Sequence, residues 1–276
     1  MRWAREDHSM TPCTNHGEGK RPGAAAGHMA LVLTLVLAAC LAGAGGAHAG
    51  DAKAYVLCYH SFHGNQKFPG DVSLQELASQ MDHLRAKGFR FVSLADIVTG
   101  RMKGTHNVLV TIDDGNVTVH QAYRQVFKPR GIRPVLGIYP AIIGRKSYSL
   151  TWEQLFELAK DGCEVGSHGY YHLHLKQELR EKDAKGFVRE IAGSKDVLQK
   201  RLGVKVKGFF YPNGIYSEAA RQTVKDAGYS CAFVITWGPV LSPLSRNADP
   251  FKLPRYMIYQ DNWGMVSGTI IRDAGQ

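Results

Sequence analysis

Cysteine is scarce in this chain: five in 276 residues, at positions 13, 40, 58, 163 and 231. They are widely spaced, and none forms a CxxC pair. That excludes a disulfide framework and a cysteine-built zinc site. Cys58 and Cys231 read as small buried hydrophobes. Dense Lys/Arg runs are also missing, and the formal charge of +10 is spread along the sequence. A scattered basic excess suits an anionic neighbourhood such as a cell envelope, but it lacks the concentrated footprint of a nucleic-acid binder. No internal repeat or low-complexity linker divides the chain. Past residue 49 there is no apolar run of the ~20 residues a membrane span needs. Histidine is confined as well: all twelve lie at or before His174.

The N-terminus carries a targeting pattern. Residues 30–44 (ALVLTLVLAACLAGA) are almost wholly apolar, Lys20 and Arg21 lie upstream, and Ala47-His48-Ala49 follows. That is a secretory layout, with small residues where a signal peptidase reads. Leu37-Ala38-Ala39-Cys40 also fits a lipoprotein box, which would leave Cys40 lipidated. The expected organisation is an export signal over 1–49 and one large domain over 50–276, placed in the periplasm, the envelope or outside the cell. Envelope association would run through an uncleaved anchor or a lipid.

Beyond the signal, strand and helix patterns alternate. Short apolar runs predict strands over 54–59, 89–94, 107–112, 134–139, 163–166, 207–211 and 230–236. Ser73-Leu-Gln-Glu76 and Thr151-Trp-Glu-Gln154 are capping boxes, each opening a helix. Further helical patterns cover 119–128, 178–202 and 217–227. Such alternation predicts an α/β fold with parallel strands inside and helices outside. In the closed form of this architecture, chemistry gathers at the C-terminal ends of strands. His60, the Asp113-Asp114 pair, the His168/His172 pair and Pro212-Asn213 all fall there.

Two of these clusters invite a metal reading. Asp113 and Asp114 leave a buried strand side by side, so they point in different directions. One can hold an ion while the other faces a substrate, although Asp-Gly is also an ordinary turn pair. His168 and His172 stand four apart, which on a helical turn would set both rings on one face. Taken alone, either pair could equally be structural. Together, one Asp and two His make a three-ligand site with room for water.

With these motifs in place, the chain resembles the polysaccharide deacetylases with the NodB-homology domain, carbohydrate esterase family 4. It is most similar to the biofilm-type poly-N-acetylglucosamine deacetylase branch. The likeness runs from about residue 55 to 256 and rests on TIDDG at 111–115, SHGYYHLHL at 167–175 and FFYPNG at 209–214. VLCYHSF at 56–62 and GFRFVSLADI at 88–97 add to it. The resemblance implies a single distorted (β/α) barrel of about seven parallel strands. It implies a hydrolase that removes N-acetyl groups from an N-acetylglucosamine polymer, acting as a monomer without nucleic acid. It assigns Asp113 as general base and Asp114, His168 and His172 as ligands of one divalent ion, zinc first, with Ni, Co or Fe as alternatives. The Asn213 N–H would serve as oxyanion donor.

The chain departs from the family pattern twice. The late Leu-x-His that supplies a general acid is absent, and among the twelve histidines only His60 ends a core strand. The motif arginine that holds the catalytic Asp is also absent, and Arg255 in Leu-Pro-Arg-Tyr is the candidate replacement. Trp152, Tyr170 and Trp263 are candidates either for stacking on sugar or for core packing. Two other readings stay open at this stage. One is a non-catalytic glycan-binding protein that keeps the fold, and the other is a C–N hydrolase of small cyclic amides.

Overall fold

The structure is a computed structural model that describes residues 52–65 and 68–275. The export signal and the lipid-box cysteine expected within 1–49 lie outside these residues. Among the described residues no helix is long and apolar enough to cross a membrane.

Among the described residues, seven parallel strands make the barrel wall: β1 (Ala52–Tyr59), β3 (Asn107–Asp114), β4 (Val135–Ile138), β5 (Glu164–Ser167), β6 (Gly208–Phe210), β7 (Cys231–Phe233) and β9 (Tyr256–Met257). The sheet order is β7-β6-β5-β4-β3-β1, with β9 on the C-terminal half of β1. Two further short strands finish the lower rim. β2 (Arg90–Phe91) runs parallel to β3, and β8 (Val240–Ser242) runs antiparallel to the start of β1. Phe233 bridges to Leu253, three residues before β9, and so joins the last parallel strand back towards the first. The sheet is therefore a curled, mostly parallel barrel with helices outside.

Alternation along the strands sorts side chains into two cores. On β1, Tyr55, Leu57 and Tyr59 face out into the large core beneath the helices. Ala54 and Val56 face into a smaller core within the barrel, with Leu109, Val135, Phe210 and Phe233. The outer layer includes α1 (Leu74–Ala86), α4 (Trp152–Lys160), α8 (Glu218–Asp226) and α9 (Trp263–Ala274). Both capping boxes form as the sequence indicates, on Ser73/Glu76 and Thr151/Gln154.

Some elements differ from the sequence reading. Instead of a strand over 89–94 there are two strand residues, and Ser93 then caps a short helix, α2 (Leu94–Val98), in a third capping box with Asp96. The 119–128 helix is α3 (Thr118–Ala122) followed by a π turn and a 3-10 turn. The helix expected over 178–202 is broken into α5 (Gln177–Lys182), α6 (Ala184–Val188), a π turn at Arg189–Gly193 and α7 (Ser194–Leu202). Asp183 ends α5 and caps α6, its side chain accepting from the Gly186 N–H at 2.8 Å. The π turn has a use described below.

Candidate metal centre

Parallel pairing of β1 with β3 sets Tyr59 beside Ile112. One residue further along, His60 is level with Asp113 at the C-terminal rim. Asp113 points into the barrel and is 1% exposed. Arg255 meets it with both terminal nitrogens, Nη1 to Oδ1 at 2.9 Å and Nη2 to Oδ2 at 2.8 Å, and is itself fully buried. Nη1 also reaches the Thr111 hydroxyl at 3.1 Å. The guanidinium lies 4.7 Å from the centre of the Phe210 ring. Gly137 leaves the space for this pair, since a Cβ there would fall 2.5 Å from Asp113 Oδ1. Burial pushes the Asp113 carboxyl up, but Arg255, His168 and His60 outweigh it, so the group lies well below the usual carboxylate range.

Asp114 turns the other way. Its Oδ1 is 3.5 Å from His168 Nε2 and 3.6 Å from His172 Nε2, and the two Nε2 atoms are 3.1 Å apart. Ligand atoms at ~2.1 Å from one tetrahedral ion stand ~3.4 Å from each other, close to this triangle. Three further observations fit a cation. Asp114 Oδ1 is buried without a hydrogen-bond partner. His168 Nδ1 is 2.8 Å from the Phe210 carbonyl, which only accepts, so the ring's proton is on Nδ1 and the Nε2 lone pair is free. Burial pushes the Asp114 pKa up and both imidazole pKa values down, which favours neutral, ligating histidines and leaves Asp114 short of a counter-charge.

The backbone marks the same place. Among the described residues, three non-glycine residues have positive φ: Asp114 at 74°, His172 at 64° and Asn213 at 54°. Such strain costs ~1–3 kcal/mol per residue and persists where surrounding structure enforces it. His168 and His172 are not on a helical turn, so helical spacing is not what unites their rings. They occupy an irregular loop, and the enforcing group is Glu190, which the sequence reading missed. Glu190 sits in the π turn, fully buried, and its carboxylate accepts N–H groups from Tyr170, Tyr171 and Leu173 at 3.0, 3.0 and 3.2 Å. Gly169, at φ 80°, is required twice over: a Cβ there would lie 2.8 Å from Glu190 Oε2.

The other sequence candidates separate. The ligand atoms of His60, Cys58 and Asp113 lie within 4.8 Å of one another, so His60 is beside Asp113. Its Nδ1 is buried and unpartnered, and burial holds the ring below its ordinary pKa against the pull of Asp113 and Asp114. Asn213 is the second residue of a short 3-10 turn opened by Pro212, where N–H groups lack intrahelical acceptors, and its side chain meets His174 at 2.8 Å. Two adjoining cavities share His60, Phe68 and Asp114. One, of about 370 Å³, runs past Tyr139, Ile142 and Tyr148. The other, of about 340 Å³, holds the ligand triad with Asn213, Met257 and Tyr259. Trp152, Tyr170 and Trp263 line neither. Trp152 carries Arg201 over its ring, and Trp263 packs against His83.

Residues 101–232 match the polysaccharide deacetylase family. Over that span the chain carries the polysaccharide deacetylase domain. IcaB from Ammonifex degensii is 28% identical, with a TM-score of 0.68, and the match covers 80% of this chain and 98% of that one. A Bacillus subtilis (strain 168) protein, YxkH, assigned provisionally to the polysaccharide deacetylases, is 25% identical over 80% of this chain and 76% of its own. The poly-beta-1,6-N-acetyl-D-glucosamine N-deacetylase of Staphylococcus epidermidis is 23% identical over 69% of this chain and 68% of its own. The deacetylase domain so defined includes Asp113, Asp114, His168, His172 and Asn213. His60 and Arg255 lie outside the matched span.

Proposed function

We propose that this deacetylase domain hydrolyses the N-acetyl groups of an N-acetylglucosamine polymer, releasing acetate, with one divalent ion held by Asp114, His168 and His172. The observation that carries the reading is the triangle of Oδ1 and two Nε2 atoms beside a separate carboxylate locked by arginine. A bound ion, zinc in the simplest case, would polarise the acetyl carbonyl and acidify the attacking water, so that a weak base suffices.

The chain's own residues do the rest. Asp113 is ionised at any working pH and accepts the water proton, and Arg255 fixes both of its oxygens while it does so. Asn213 lines the same cavity as the three ligand residues, and its N–H is the donor assigned to the carbonyl oxygen as that atom gains charge. An amide anion is a poor leaving group, so the nitrogen must be protonated before the C–N bond breaks. His60 is held neutral at rest. The proton it delivers is therefore the one Asp113 took from water, passed between neighbours and returned to the departing amine. Acetate keeps the water oxygen, and the amine keeps the proton.

The two cavities meet at His60, Phe68 and Asp114, with Tyr139 and Tyr148 in one lobe and Tyr259 in the other. Flat aromatic faces in a groove suit sugar rings. Poly-β-1,6-N-acetylglucosamine is the first polymer to test, on the strength of the Staphylococcus epidermidis relative's name. The pattern at 30–49 supports export to an envelope or extracellular polymer. Acetate release by the metal-loaded protein from that polymer, from chitin oligomers and from peptidoglycan tests the reading. Release with the metal and none after chelation is expected. No acetate from any of the three would favour a glycan-binding role.

A further inference from the structure

The rim of β1 holds a second set of donor atoms, two of which serve the proposed reaction while the third, the Cys58 thiol, has no part in it. Cys58 is the last but one residue of β1 and His60 is the first residue beyond the strand, two further on. Asp113 comes to them from the neighbouring strand. A thiol sulfur, an imidazole nitrogen and a carboxylate oxygen thus lie within 4.8 Å of one another. Cys58 Sγ is 3.5 Å from Asp113 Oδ2 and is fully buried. His60 Nδ1 is buried with no hydrogen-bond partner. A sulfur and an imidazole together select thiophilic ions over oxygen-seeking ones.

We propose that Cys58, His60 and Asp113 form a second, inhibitory site for a thiophilic divalent ion, which zinc occupies when in excess. Binding is ligand exchange without redox change: the Cys58 S–H bond breaks, the proton leaves to solvent, and a sulfur–metal bond forms. Asp113 can take part while still paired to Arg255, because a carboxylate offers about four lone-pair positions and Arg255 uses two. Two features make this site weaker than the first. The buried Arg255 guanidinium opposes a second cation, and the donor atoms must close in from their present spacing. Burial also pushes the Cys58 thiol well up, so the proton comes off only under the pull of the metal. An ion here would occupy both the proton acceptor and the proton donor of the proposed reaction. That inhibitory half rests on the roles given to Asp113 and His60, and the binding half does not.

The test uses the full chain carrying one equivalent of zinc. Cadmium is then added and followed by its thiolate charge-transfer absorbance, and zinc is added in parallel while acetate release is followed. The native protein is expected to gain one cadmium–thiolate per chain that Cys58→Ser lacks, although the two proteins differ by a single thiol. The zinc concentration that halves each protein's own one-equivalent rate should rise in Cys58→Ser by more than the ~10–100-fold that loss of an outer-shell partner costs. Cys58→Ala serves as a second variant should serine in the barrel impair folding. Equal thiolate signals in native and variant protein would overturn the site, and so would equal half-inhibition by zinc. A native protein that shows the Cys58-dependent signal but never releases acetate would keep this site and remove the proposed function.

Discussion

Replacing Arg255 with methionine isolates the contribution of the buried pair. Methionine keeps the length and the apolar stem over Phe210 but removes the charge and both bonds to Asp113, at 2.9 and 2.8 Å. Breaking a buried ion pair from one side costs ~3–5 kcal/mol, because the remaining charge is left unpaired. For a domain of this size each kcal/mol lowers Tm by ~2–4 °C, so a drop of roughly 6–20 °C is expected. The pH dependence supplies a sign. In the native protein the folded pKa of Asp113 is depressed, so its contribution is fully present above the unfolded value of ~3.9 and is lost only as pH falls below that. In the variant, burial acts without Arg255 and raises the folded pKa. The cost of the orphaned carboxylate then grows as pH rises from the unfolded value of ~3.9 towards the raised folded value and levels off above it. The Tm gap should therefore narrow as pH falls from neutrality towards ~3.9. Adding Asp113→Asn neutralises the orphan, so the double variant should recover most of the loss. Thermal melts of chelated samples measure the native protein, each single variant and the double variant. A variant as stable as native at neutral pH, a gap indifferent to pH, or a double variant no better than the single one would refute the reasoning.

Asp113→Asn alone should retain the metal, measured by elemental analysis, while acetate release falls ~10²–10⁴-fold. His60→Ala should leave metal content unchanged and slow turnover, and a fully active variant would show that the proton comes from elsewhere. Glu190→Ala should weaken metal affinity by ~10–100-fold, as outer-shell losses do, because His172 loses the loop that forces its positive φ. If Glu190→Ala lowers Tm but leaves the metal dissociation constant unchanged, Glu190 is structural only.

Much of the fold was legible because local signals agreed with the global one. The NVLVTI strand, the two capping boxes and the regular alternation each point to the same barrel. The failures have physical causes. Residues 178–202 keep a helical pattern, yet Asp183 can cap as well as continue a helix, and the π turn at Arg189–Gly193 has no residue signature of its own. β9 has two residues, too few for any period to show. At the site, Asp114, His168 and His172 were legible as residue types, and the cause of their convergence was not. Glu190 acts from a helix 18 residues beyond His172, through backbone N–H groups that carry no sequence identity. Its one trace in the sequence is Gly169, where the loop crosses the carboxylate.

Arg255 shows why a replacement residue can come from the far end of the chain. It follows Leu253, which bridges Phe233 on β7, and precedes Tyr256, which pairs with Leu57 on β1. Hydrogen bonds therefore pin the backbone on both sides of Arg255, at the seam where the curled sheet meets itself. A side chain at that seam has two directions open to it, and the inward one meets Asp113 and the Phe210 ring. The guanidinium supplies the counter-charge that lets the base be buried, and the base supplies the partner that lets the guanidinium be buried. Closure of the barrel and fixation of the base are then one event. A substitution that opens the seam, such as Leu253→Asp, should release Asp113 without touching it.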